Sequence, residues 1–123
     1  MKLARRVFLL AGIYGVAVLV PQYFMEGRIG RDFPPAITHP EHFYGFIGVA
    51  LAWQVAFFLI AGDPVRYRPI MSVAILEKVA FGAAAIVLYL RNRVVAPILI
   101  AGIVDLVLAA LFLLAMRSTP KAA

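Results

Sequence analysis

The chain has 123 residues, 64% of them hydrophobic and 15% charged, with a net charge of +6 and no cysteine. Ordinary globular domains are nearer a quarter charged, and a short water-soluble domain of this composition would leave large apolar patches in water. Disulfide frameworks and thiolate metal sites are excluded, and the basic residues flank apolar runs instead of forming one stripe, which argues against nucleic acid as a partner. One unit, residues 1–123, with lipid as its solvent is the expectation.

In chain order, the first apolar run begins at Val7, behind Lys2, Arg5 and Arg6, a pattern shared by signal peptides and membrane anchors. No small-residue cleavage site follows, and the run continues past Pro21 to spanning length, so a first span over 7–25 is predicted. The second, 43–61, is closed by Gly62-Asp63-Pro64, where glycine suits a helix C-cap and proline stops continuation. Pro69 opens the third, 69–90, at a position where its missing N–H has no helical partner. The fourth, 94–116, follows after Arg91-Asn92-Arg93 alone, so the last two spans must be antiparallel neighbours. The fold class read from this pattern is all-α, an integral membrane up-down four-helix bundle. The two halves share no motif, so an inverted repeat is not supported.

Lys2, Arg5, Arg6, Arg66, Arg68, Arg117 and Lys121 fall at one pole, against Arg28, Arg31, Arg91 and Arg93 at the other. By the positive-inside rule both termini and the Arg66 loop are cytoplasmic, and the 26–42 segment is external. Tyr23, Phe24, Phe43, Tyr44, Tyr67 and Tyr89 sit near the expected interfaces as anchors. Arg66, Tyr67 and Arg68 could also contact anionic lipid headgroups, each cation contributing about 1 kcal/mol near the surface.

Five residues do not belong in hydrocarbon: Tyr14 in the first span, Gln54 in the second, Glu77 and Lys78 in the third, and Asp105 in the fourth. A charge at the bilayer centre costs about 3 kcal/mol on insertion scales, so such groups face the bundle interior and pair. At 1.5 Å per residue they lie roughly 10 to 16 Å from the cytoplasmic ends, which predicts one buried polar layer shared by four helices. Asp105 shares its face with Ala101, Gly102 and Ala109, and Lys78 with Ala74, Gly82 and Ala85, small residues that permit close helix contact. Gln54 is read as lying beside a stripe of Gly48, Ala52 and Ala56. A Lys78–Asp105 pair across the last hairpin is expected. Glu77, about 100° from Lys78 on the helix, should point elsewhere and take Gln54 or Tyr14 as its partner, or carry a proton. The layer is open to two readings, a proton-coupled or solute-binding site and a polar clamp that fixes helix register.

The external loop holds both histidines, His39 and His42, with Glu26, Asp32 and Glu41 nearby. Imidazole and carboxylate suit zinc or iron, but His39-x-x-His42 supplies two ligands at most, and no metal site is assigned. Helix initiation is the plainer account: Thr38-x-x-Glu41 matches a capping box and Pro40 fits a first turn. The Pro34-Pro35 pair could dock a partner through extended backbone.

Ser72 and Ser118 lack a neighbouring base, and no phosphate-binding loop is present, so no catalytic residue and no cofactor is assigned. The Pro21 turn, the polar loop ending in Pro40-Glu41 and the Gly45-Phe46-Ile47-Gly48 segment together resemble DoxX-like small four-helix bacterial membrane proteins. The resemblance is architectural and implies a multi-pass protein of a bacterial cytoplasmic membrane, with no residue role attached. The expected function is a non-enzymatic membrane subunit or interaction protein, in contact with the lipid bilayer and with a homo-oligomeric or other membrane partner. The alternatives are a small homo-oligomeric proton-coupled transporter or channel using the polar layer, and a lipid- or quinone-modifying enzyme using His39, Glu41 and His42.

Overall fold

The computed structural model describes residues 1–123 and is all-helical. Helix α1, Lys2–Leu19, runs into a 3-10 turn at Val20–Phe24; α2, Glu26–Asp32, is short; α3, α4 and α5 span Pro40–Gly62, Arg68–Leu90 and Ala96–Arg117. Helices α1 (with its 3-10 extension), α3, α4 and α5 are each long and apolar enough to cross a membrane. Helix α1 starts at Lys2, ahead of the apolar run, because Lys2, Arg5 and Arg6 are good helix formers and nothing before Val7 breaks the helix. At Pro21 the missing N–H and the ring tighten the chain into the 3-10 turn.

Sequence periodicity did not show α2, which carries Gly27 and Gly30; Glu26 in its first turn and an Arg28–Asp32 pair at 3.4 Å, one turn apart, favour it. The capping box at Thr38 does not form. Helix α3 begins at Pro40 with His39 as its N-cap and no side-chain cap, so Thr38 stands one residue too early to reach the third helical N–H. Glu41 lies instead against His39, Oε1 to Nδ1 at 3.2 Å.

Arginines tie the helix ends together in antiparallel pairs. Arg5 Nη1 donates to the Gly62 carbonyl at 3.1 Å, joining the start of α1 to the end of α3. Arg68 Nε donates to the carbonyls of Met116 at 3.2 Å and Thr119 at 2.8 Å, joining the start of α4 to the end of α5. Both arginines donate to carbonyls at or just past a helix C-terminus, its negative dipole end. At the opposite pole, Asn92 takes φ 58°, and the Arg93 and Asn92 amides donate to Leu88 and Tyr89 at 2.8 and 3.0 Å. That is a Schellman ending, which turns α4 into α5 with few residues.

The helices are filled unequally along their length. Near the termini, Phe8, Phe57 and Phe112 are completely buried, with ring centroids 4.2 Å apart for Phe8–Phe112 and 5.1 Å for Phe57–Phe112; Ala4, Ala11, Ile60, Met71, Ala74 and Ala115 complete this plug. The other half holds only a small cluster of Leu19, Ile47 and Ala50. Only 22 of 123 residues are buried, so side chains such as Leu10, Val49, Leu76 and Ile100 form an apolar exterior, as a lipid-facing surface requires. Helices α4 and α5 touch through glycine: a Cβ on Gly102 would fall 2.5 Å from the Ala85 Cβ, and one on Gly82 2.9 Å from the Gly102 carbonyl oxygen.

Candidate functional site

Close packing of α4 on α5 fixes the ionic group. Lys78 Nζ lies 3.5 Å from Asp105 Oδ1 across the hairpin, the pairing the sequence led one to expect, and 3.7 Å from Glu77 Oε2 on its own helix. The last contact overturns the expectation that Glu77 and Lys78 diverge. Their Cβ directions do differ, but the four-carbon lysine stem bends back far enough for its ammonium to sit between both carboxylates. The ammonium also stands 5.3 Å from the Phe57 ring centroid, a cation–π contact with the plug beneath it.

Glu77 makes no hydrogen bond to Gln54 or Tyr14, which corrects the second part of that expectation. Its Oε2 has no hydrogen-bond partner, and the Lys78 contact is too long to count as one. Gln54 is 1% exposed; its amide N–H donates to the Ala50 carbonyl of its own helix at 2.7 Å, while its Oε1 has no partner. The buried stripe on α3 is Ile47, Ala50, Gln54, Phe57 and Ile60, not Gly48, Ala52 and Ala56; in a helix apolar on every face, sequence gives no strong signal of which side turns inward. Tyr14 joins the layer at its margin, 41% exposed, so it is not buried as expected.

These five residues share one cavity of about 230 Å³, lined from all four long helices by Tyr14, Gln54, Glu77, Lys78 and Asp105 together with apolar walls that include Phe46 and Phe81. It extends from the polar layer toward the loop pole, past Val18, Gln22 and Ile98, and ends at the aromatic plug on the other side. The cavity was not legible as such, although its cause is visible in the sequence. Gly15, Ala50 and Ala101 are small where the helices would otherwise fill it, whereas Phe8, Phe57 and Phe112 fill the other half. Close approach is essential at Gly15, where a Cβ would lie 1.9 Å from Gln54 Oε1.

The loop residues stand apart from this cavity. His39, Glu41 and His42 bring one ligand atom each to within 4.8 Å of one another, all exposed at the start of α3, and Glu26 is not among them. At the termini pole, the Arg66 guanidinium lies over the Tyr67 ring at 5.4 Å, Tyr67 packs on the plug, and Arg68 is engaged on the end of α5. Ser72 and Ser118 donate to backbone carbonyls of their own helices, at 2.7 and 3.0 Å. Compared with known proteins, the chain matches no family model, no curated protein and no solved structure.

Proposed function

We propose that this chain is a four-span integral membrane protein that acts as a non-enzymatic binding subunit, holding a small molecule in the cavity above the Glu77–Lys78–Asp105 group. The observation that carries this reading is the pair of buried acceptors, Gln54 Oε1 and Glu77 Oε2, which have no hydrogen-bond partner and belong to two residues that line that cavity. A purely structural clamp would satisfy its own polar atoms, since an unsatisfied buried polar group costs about 1–3 kcal/mol. Concave, mainly apolar sites with a few convergent polar groups are where small molecules bind.

The lysine and arginine bias supports cytoplasmic termini, and Arg5 and Arg68 keep their charges at that pole while capping helices. The plug then lies on the cytoplasmic side and the cavity on the external side, with Arg66 the basic side chain best placed for headgroups. Architectural likeness to DoxX-like proteins supports a bacterial cytoplasmic membrane. None of His39, Glu41 and His42 lines the cavity, so it lends nothing to an enzyme reading built on them.

Native mass spectrometry of the protein released from its own membrane tests the binding reading. A small-molecule adduct should be present on the wild type and lost in Ala101→Phe, which fills the cavity; a bare wild-type protein would count against it. A proton-coupled transporter is the second reading, favoured by a cavity that reaches toward one pole and is blocked by Phe8, Phe57 and Phe112 toward the other. Flux in liposomes that survives Glu77→Gln unchanged would remove it.

A further inference from the structure

Resting on that binding reading, we infer that the cavity takes a membrane-partitioned ammonium compound, one with at least one N–H and a compact apolar body. Both buried atoms that lack a hydrogen bond are acceptors, although Glu77 Oε2 has the Lys78 ammonium 3.7 Å away. The Ala50 carbonyl can only accept, so the Gln54 atom bonded to it is the amide nitrogen, and the atom without a hydrogen bond is the oxygen, which packs beside Gly15. Glu77 Oε2 is a carboxylate oxygen. Ketones, ethers and quinones offer acceptors alone and would satisfy neither, whereas an N–H donor satisfies either.

Charge points the same way. The lining holds two carboxylates, Glu77 and Asp105, and one cation, Lys78, with no other ionic side chain. Their sum is −1 when all three are charged, so an entering cation balances the site and an entering anion would meet two carboxylates. Charge-assisted hydrogen bonds from an ammonium to Glu77 are about twice as strong as neutral ones.

Size and access set the body of the ligand. Phe46, Phe81 and Ile98 make the walls apolar, and about 230 Å³ lies below the 300–1,000 Å³ common for drug-sized ligands. Tyr14 lines both this cavity and an apolar groove on the outer surface between α1 and α5, bounded by Leu10, Val104 and Leu108. Tyr14 is the one residue common to both, so a ligand dissolved in lipid would have to displace it to reach the polar group sideways.

The test uses the full chain in lipid nanodiscs, with Trp53, the single tryptophan, one residue from Gln54 as a fluorescent reporter. Four probes differ only in the head: octylamine, octyltrimethylammonium, 1-octanol and octanoate, each corrected for its signal with protein-free nanodiscs. Octylamine should bind saturably and about tenfold or more tighter than the others. Glu77→Gln and Gln54→Leu should each weaken it, and Gln54→Glu, which adds a carboxylate, should tighten it; these Gln54 variants decide the matter if Glu77→Gln does not fold. Equal binding of octyltrimethylammonium would show that N–H is not read, and equal binding of 1-octanol that charge is not. Tighter binding of octanoate, or an unchanged octylamine affinity in the Glu77 and Gln54 variants, would overturn the assignment outright. If no probe binds, the ammonium assignment fails; the cavity reading fails with it only if the wild type also carries no native adduct.

Discussion

Gly15 of α1 and Gln54 of α3 meet so closely that a methyl group on Gly15 would overlap the Gln54 amide, its Cβ falling 1.9 Å from Oε1 and 2.2 Å from Cδ. The contact is side chain against backbone, and it holds Gln54 in its place on the cavity wall. Gly15→Ala must therefore move Gln54, a shift of the overpacking kind that costs about 1–3 kcal/mol. Thermal unfolding in detergent should show the loss, and Gln54→Ala in the same chain should restore most of it. If the two substitutions simply add, the contact is not what limits position 15.

The ionic group orders its own variants. Lys78→Met leaves Glu77 and Asp105 facing each other without a cation, whereas Asp105→Asn leaves Lys78 still 3.7 Å from Glu77. Breaking a buried pair by removing one partner costs about 3–5 kcal/mol in soluble proteins. The lysine variant should lie near that range and the aspartate variant below it. Melting temperatures in the reverse order would mean that Glu77 does not share the ammonium.

Much of this arrangement was readable before any fold was known, and the physical reason differs by residue. Lys78 and Asp105 could be paired because a short link, five residues between Leu90 and Ala96, forces α4 and α5 to be antiparallel and because charges in lipid need partners. Gly82, Gly102 and Ala85 were readable as contact points because small residues are what lets membrane helices approach. The small stripe beside Gln54 is not the face that α3 turns inward, since α3 is apolar all round and its inward face depends on which neighbours arrive. Glu77 was misplaced because helical-wheel angles fix Cβ directions, not where a long lysine ammonium ends. The cavity follows from the summed volumes of side chains from four helices, which no local pattern records.

The α4–α5 contact makes a reciprocal prediction. Gly102→Ala would set a Cβ 2.5 Å from that of Ala85 and push the helices apart, loosening the hairpin that carries Lys78 and Asp105. A destabilisation of about 1–3 kcal/mol is expected, with recovery on adding Ala85→Gly. Recovery without a return of octylamine binding would show that α4 and α5 close again in a different register.

Asn92 provides the test most independent of the site. Its φ of 58° lies in the left-handed region, where the Arg93 amide reaches the Leu88 carbonyl and closes α4. Asparagine tolerates that conformation better than most residues, glycine tolerates it freely, and a β-branched residue is strained there by roughly 1–2 kcal/mol. Asn92→Gly should leave the melting temperature close to that of the wild type, and Asn92→Val should lower it. Because the turn lies at the loop pole and lines no part of the cavity, neither change should alter octylamine affinity. A loss of affinity in Asn92→Val would mean that the hairpin turn sets the spacing of Lys78 and Asp105, carrying control of the site to the end of the helices.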